Sequence, residues 1–143
     1  MAIKAAILVA IMSLAMALTI AVEARGTITS KLWRAMDVDF SGYCSDESIP
    51  TGSTYWTSLN QTLTDLIQNT AYANNMTYSV KNGGDDVSAY GQAQCFNMVG
   101  NPGMCKSCVE DLVRRAWREC GDAIAAMLML KDKCTIRYQD SPL

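Results

Sequence analysis

The sequence predicts a small α+β domain, and three observations predict it. Two stretches carry apolar residues at helical spacing. Between and after them run short segments that alternate polar with β-prone apolar residues. Six cysteines, Cys44, Cys95, Cys105, Cys108, Cys120 and Cys134, are spread across these elements, five of them between 95 and 134. A chain of 143 residues fits one domain of this kind.

The first 24 residues read as a leader. Met1 to Lys4 is a short basic start, and Ala5 to Val22 is apolar apart from Ser13 and Thr19. Val22-Glu23-Ala24 offers small residues where signal peptidase requires them, so cleavage is expected after Ala24. A retained transmembrane anchor is the rival reading of the same apolar run. The remainder, 25–143, is expected to be a single domain with its core at about 38–140. Of 12 basic and 14 acidic residues, Lys4 and Glu23 leave with the leader, so the net charge stays at −2. Such a balance gives no electrostatic case for nucleic acid. The membrane enters only through the leader. Secretion would also supply the oxidising compartment in which disulfides persist.

Taken in order, Val38 to Cys44 is expected to be a first strand, and Ser45 to Gly52 a loop. Ser53 or Thr54 can cap a helix over about 54–71, in which Trp56, Leu59, Leu63, Leu66 and Ile67 form one apolar stripe. Trp56 reads as a core anchor. Met76 to Val80 alternates as a strand, Lys81 to Asp86 reads as a turn, and Val87 to Phe96 returns as the second strand of a hairpin. Asn101 caps a second helix with Pro102 at its first position and Gly121 at its end. Cys105, Cys108, Val109, Leu112, Val113, Ala116 and Cys120 share one face of it. On local propensity Ala123 to Leu130 reads as helix. Cys134 to Tyr138 alternates and reads as a strand.

There is no histidine. Ser-His-Asp and Cys-His catalysis are thereby excluded, together with every zinc site that uses imidazole. No nucleophile–base pair or metal cluster can be assembled, so no catalytic residue, metal ligand or cofactor is assigned. The C-x-x-C of Cys105 and Cys108 could be a redox pair, but the βαβ context of such pairs is missing. One C-x-x-C without a second is weak evidence for zinc. Three structural disulfides are the favoured reading. Six cysteines allow about 15 pairings. Cys105 and Cys108, on the first turn of one helix, most easily reach neighbouring strands. Proximity in sequence favours Cys95–Cys105 for one; Cys108 could then take Cys134 on the last strand, in which case Cys120 would take Cys44. Asn60-Gln61-Thr62 and Asn75-Met76-Thr77 fit the N-glycosylation pattern, and Asn75, in a loop, is the better placed. Arg114, Arg115 and Arg118 interleave with Glu110, Asp111 and Glu119, as on a salt-bridged solvent face.

A set of motifs resembles the plant ginkbilobin-like, stress-antifungal cysteine-rich domain. They are C-x5-P-x-G-S from Cys44 to Ser53, the run Asp65 to Ala71, Ala89-Tyr90-Gly91-x-Ala93-x-Cys95, Cys105-x-x-Cys108, and Cys134-x-Ile136-x-Tyr138. The resemblance implies a five-stranded antiparallel sheet with two packed α-helices and three disulfides, which overrules helix at 123–130. It implies the same pairing, Cys44–Cys120, Cys95–Cys105 and Cys108–Cys134. It further implies a secreted, apoplastic, non-enzymatic defence protein that binds a cell-wall glycan or cell-surface ligand. A protein-interaction module without lectin activity is the alternative. Family members bind mannose through an Asn after the first cysteine, an Arg on the penultimate strand and a Glu after the last Tyr. The equivalents here are Ser45, Met127 (Leu128 if counted back from Cys134) and Gln139. The spacings from Cys95 to Cys105 and from Cys120 to Cys134 each run one residue long. With the arginine position apolar, family-type mannose binding is largely lost by this count.

Overall fold

The computed structural model describes residues 39–84 and 87–143. The expected leader and most of the segment before the first strand lie outside the described residues, as do Asp85 and Asp86 of the expected turn. Seven main elements succeed one another: β1 Phe40–Cys44, α1 Tyr55–Asn69, β2 Thr77–Gly84, β3 Val87–Cys95, α2 Pro102–Arg115, β4 Ala126–Leu130 and β5 Cys134–Gln139. The strands form one antiparallel sheet in the order β1-β4-β5-β3-β2. Among the described residues no helix is long and apolar enough to cross a membrane.

Strand periodicity decides which residues enter the core. Phe40 and Cys44, Ala126, Leu128 and Leu130, Cys134, Ile136 and Tyr138, and Ala89, Ala93 and Cys95 are all buried. They face the two helices, and the intervening residues face outward. That alternation explains β4. Ala, Met and Leu favour helix in isolation, yet only a strand buries residues 126, 128 and 130 while exposing Met127. The hairpin strands run further than the sequence suggests, pairing as far as Gly84 with Val87, so the expected turn contracts to its tip.

Helix α1 lies over β2 and β3. Leu59, Leu63 and Leu66 are at most 2% exposed, and each such burial stabilises the fold by roughly 1.5–3 kcal/mol. Trp56 only half enters the core and stacks on Trp117, ring centres 5.6 Å apart. The helix approaches so closely that a Cβ on Gly91 of β3 would stand 2.4 Å from the Thr62 methyl. At that distance two helix hydroxyls reach the sheet backbone. Ser58 Oγ donates to the Val87 carbonyl at 3.3 Å, and Thr62 Oγ1 to the Ala89 carbonyl at 3.2 Å. At the start of α1 the Ser53 hydroxyl accepts from the Tyr55 N–H (3.1 Å), while Thr54 contributes no side-chain cap bond.

Helix α2 begins as its sequence suggests. Asn101 Oδ1 accepts from the Met104 N–H at 3.2 Å, and Pro102 stands in the first turn. Its last turn, Ala116–Cys120, widens into a π-helical turn and stops at Gly121, whose φ of 57° suits glycine.

Three disulfides join the layers. Cys44–Cys120 ties β1 to the end of the second helix, while Cys95–Cys105 and Cys108–Cys134 tie the first turn of α2 to β3 and β5. They span 76, 10 and 26 residues. On the loop-entropy model the longest is worth about 4–5 kcal/mol and the shortest about 3.

Two buried phenols differ in their partners. Tyr55 Oη donates to the Ile124 carbonyl at 2.8 Å, whereas Tyr138 Oη has no partner. Burial raises the pKa of both above the ordinary range, and Asp140 adds to the effect at Tyr55. Both are therefore neutral in the fold. A raised folded-state pKa stabilises below the unfolded value near 10, and that stability is lost as pH climbs through the folded pKa.

Denaturant titration should show the Cys44→Ser/Cys120→Ser variant losing more stability than the Cys95→Ser/Cys105→Ser variant, by about 1–2 kcal/mol. Gly91→Val should cost about 1–3 kcal/mol through overpacking against Thr62. Tyr55→Phe should cost about 1 kcal/mol, while Tyr138→Phe should be neutral or stabilising, because it removes an unpartnered hydroxyl. Alkaline absorbance titration should show these two phenols ionising only with unfolding.

Candidate functional site

Among the described residues no helix lies on the outer face of the sheet, and the central row of that face runs across the register. Tyr43 of β1 stands opposite Met127 of β4, Met127 opposite Arg137 of β5, and Arg137 opposite Gln92 of β3. Residues directly opposite one another on neighbouring strands place their side chains on the same face, close enough to act together. Tyr43, Met127, Arg137 and Gln139 line a cleft of about 350 Å³, with Ala125 and Ala126 at its end. Tyr43 is 47% exposed and Met127 50%, so both offer apolar surface to solvent.

Arg137 supplies the charge in this cleft, and among the described residues no carboxylate lines it. Its guanidinium is held by its neighbour: Nε donates to Gln139 Oε1 at 3.1 Å and Nη2 to the same oxygen at 2.7 Å. Gln139 is fixed in turn, since its Nε2 donates to the Ser141 and Pro142 carbonyls at 3.0 and 2.9 Å. Among the described residues no acidic side chain pairs with Arg137. Its remaining N–H donors therefore face solvent in a preset orientation, which suits a ligand oxygen.

The three residues singled out from the sequence divide between two places. Met127 and Gln139 line the cleft together. Ser45 belongs to a separate cavity of about 130 Å³ beside the Cys44–Cys120 disulfide, with Asp46, Glu119 and Asp122. Its hydroxyl is also engaged, donating to the Glu47 carbonyl at 3.1 Å and accepting from the Ala125 N–H at 3.2 Å. Ser45 thus joins β1 to the approach to β4. Sequence reasoning missed Arg137, because position-by-position transfer looks only along the penultimate strand. The available signal was register: Met127 and Arg137 are cross-strand partners, so an arginine on either strand reaches the same surface.

Other candidates resolve into structure. Cys105 and Cys108 bond to separate strands and not to each other. Asp111 pairs with Arg114 at 3.3 Å and Arg115 at 3.0 Å, and Glu119 with Arg118 at 2.7 Å. Arg115 also lies over the Phe40 ring, 4.7 Å from its centre. Such part-exposed pairs contribute little and mark a solvated face.

Comparison with known proteins agrees with this architecture. The family model described as salt stress response/antifungal matches residues 43–141. Over 100 residues the chain is 36% identical to antifungal protein ginkbilobin-like protein 1 of Picea glauca, covering 69% of this chain and 70% of that one. It is 35% identical over 100 residues to antifungal protein ginkbilobin-2 of Ginkgo biloba, covering 69% and 73%. Among solved structures, the tandem DUF26 ectodomain of a cysteine-rich receptor-like protein from Arabidopsis thaliana superposes with a TM-score of 0.61 at 27% identity. That match covers 71% of this chain and 49% of the ectodomain, so this chain spans about half of it. By sequence and by fold, this chain belongs to the salt stress response/antifungal family.

Proposed function

We propose that the protein is a secreted, apoplastic plant defence protein of the antifungal type, non-enzymatic, acting by binding a saccharide of a cell wall or cell surface. The binding site is the cleft of Tyr43, Met127, Arg137 and Gln139. The observation that carries this reading is the Arg137 guanidinium, oriented by two bonds to Gln139 and placed directly across from Met127. It restores, from the neighbouring strand, the donors that the family pattern places at position 127. Saccharide hydroxyls leave water only for directed polar partners, and a charged donor contributes about 1.5–3 kcal/mol per bond. The ring of Tyr43 gives the apolar face of a sugar a surface to cover.

A protein partner is the second reading. It is favoured by the apolar exposure of Tyr43 and Met127 and by the internal satisfaction of Ser45 and Gln139, which leaves few free polar groups for a small sugar.

Two measurements test the first reading. Calorimetric titration with mannan and other cell-wall glycans should show binding that weakens about ten- to a hundredfold in Arg137→Gln. Growth inhibition of a filamentous fungus should fall with it. Absence of both glycan binding and inhibition in correctly folded protein would remove the saccharide reading. Inhibition without glycan binding would favour the protein partner.

A further inference from the structure

We propose that Asn75 carries an N-linked glycan whose first sugars lie along the groove between the end of the hairpin and β4. This rests on passage through the secretory lumen and is otherwise independent of the cleft around Arg137.

The two N-glycosylation motifs differ in what the fold does with them. Asn60 is exposed on α1, but its partner Thr62 is fully buried. The Thr62 hydroxyl donates to the Ala89 carbonyl and accepts from Asn82 Nδ2. That motif is open to a transferase only before α1 docks. Asn75 is exposed on a turn between α1 and β2, with φ of 53°, outside any regular helix. Thr77 is part-exposed, and its hydroxyl makes only a long bond of 3.4 Å, to the Asn75 carbonyl. Both side chains the transferase must hold thus stay reachable after folding.

The second observation is the surface beside it. Asn75 lines a groove of about 550 Å³ with Phe96, Val99, Met129 and Asp132. Val99 is 89% exposed, and Phe96 and Met129 are partly exposed. Isolated exposed apolar residues need no explanation, but three along one groove form a patch that favours association unless covered. An N-acetylglucosamine chain rooted at the groove's edge has the apolar ring faces to cover it, and its hydroxyls keep the surface wet.

The transfer balances without any group from this protein beyond the side chain. The Asn75 amide nitrogen attacks C1 of a lipid-linked oligosaccharide pyrophosphate. A C–N bond forms, the C1–O bond breaks, the amide loses one proton, and the lipid pyrophosphate departs with the electron pair.

The test is secretion of the full chain from a eukaryotic host with glycan trimming blocked. Digestion follows with an endoglycosidase that leaves one N-acetylglucosamine on each modified Asn. Peptide mapping should find that tag on Asn75 in the native sequence and in Thr77→Ser, and not in Asn75→Gln or Thr77→Val. Thr77→Val leaves the left-handed backbone of Asn75 untouched, so it separates loss of the glycan from strain. Removal of the glycan should raise the fluorescence of a hydrophobic dye, a rise that Val99→Ser diminishes. An unmodified Asn75, a tag on Asn60 alone, recovery only from the cytosol, or an unchanged dye signal would overturn the proposal. Glycan binding measured on the deglycosylated protein decides the saccharide reading separately.

Discussion

Among the described residues two helices cover one side of the five-stranded sheet and leave the other side open. The rest of the described structure is shaped by that asymmetry. The core is a single layer between two helices and one sheet face, and thin layers gain from crosslinks. All three disulfides accordingly run between the helical layer and the sheet and none within a layer. The uncovered face must be built from side chains that tolerate water. It is there that Tyr43, Met127, Arg137 and Gln92 form a row.

Close docking of α1 depends on the same economy of space. Gly91 lets the helix descend onto β3, and the descent brings Ser58 and Thr62 within reach of strand carbonyls. These hydroxyls sit on the interior side of a helix whose leucines do the packing. A pattern of apolar residues alone assigns them no role. The close approach at Thr62 depends on Gly91, a glycine on another element.

Much of the fold was legible in the sequence because local rules and long-range packing agree. The leucine stripe of α1, the Asn101-Pro102 start of α2 and the alternation of β5 each read correctly from a few residues. Where they disagree, the sequence misleads. Residues 123–130 have helical propensity, but the space between β1 and β5 accepts only a strand, and family resemblance was needed to say so. The extent of the hairpin was hidden because Gly83 and Gly84 signal a turn while backbone pairing carries the ladder through them. The candidate site was half legible. Position along the chain singled out Met127, Gln139 and Ser45, of which the first two share a cleft and Ser45 lines a separate cavity. Arg137 became visible only once cross-strand register was known.

The two disulfides at the start of α2 decide how that helix is held. Cys95 and Cys134 are register partners on adjacent strands, and Cys105 and Cys108 occupy one helical turn above them. Both bridges therefore lie in one corner of the molecule. Val109 and Leu112 are buried just beyond them, so the packing of α2 supports the same attachment. The first turn of α2 is thus fastened to two adjacent strands at once, and freeing it from the sheet requires reduction of both bridges.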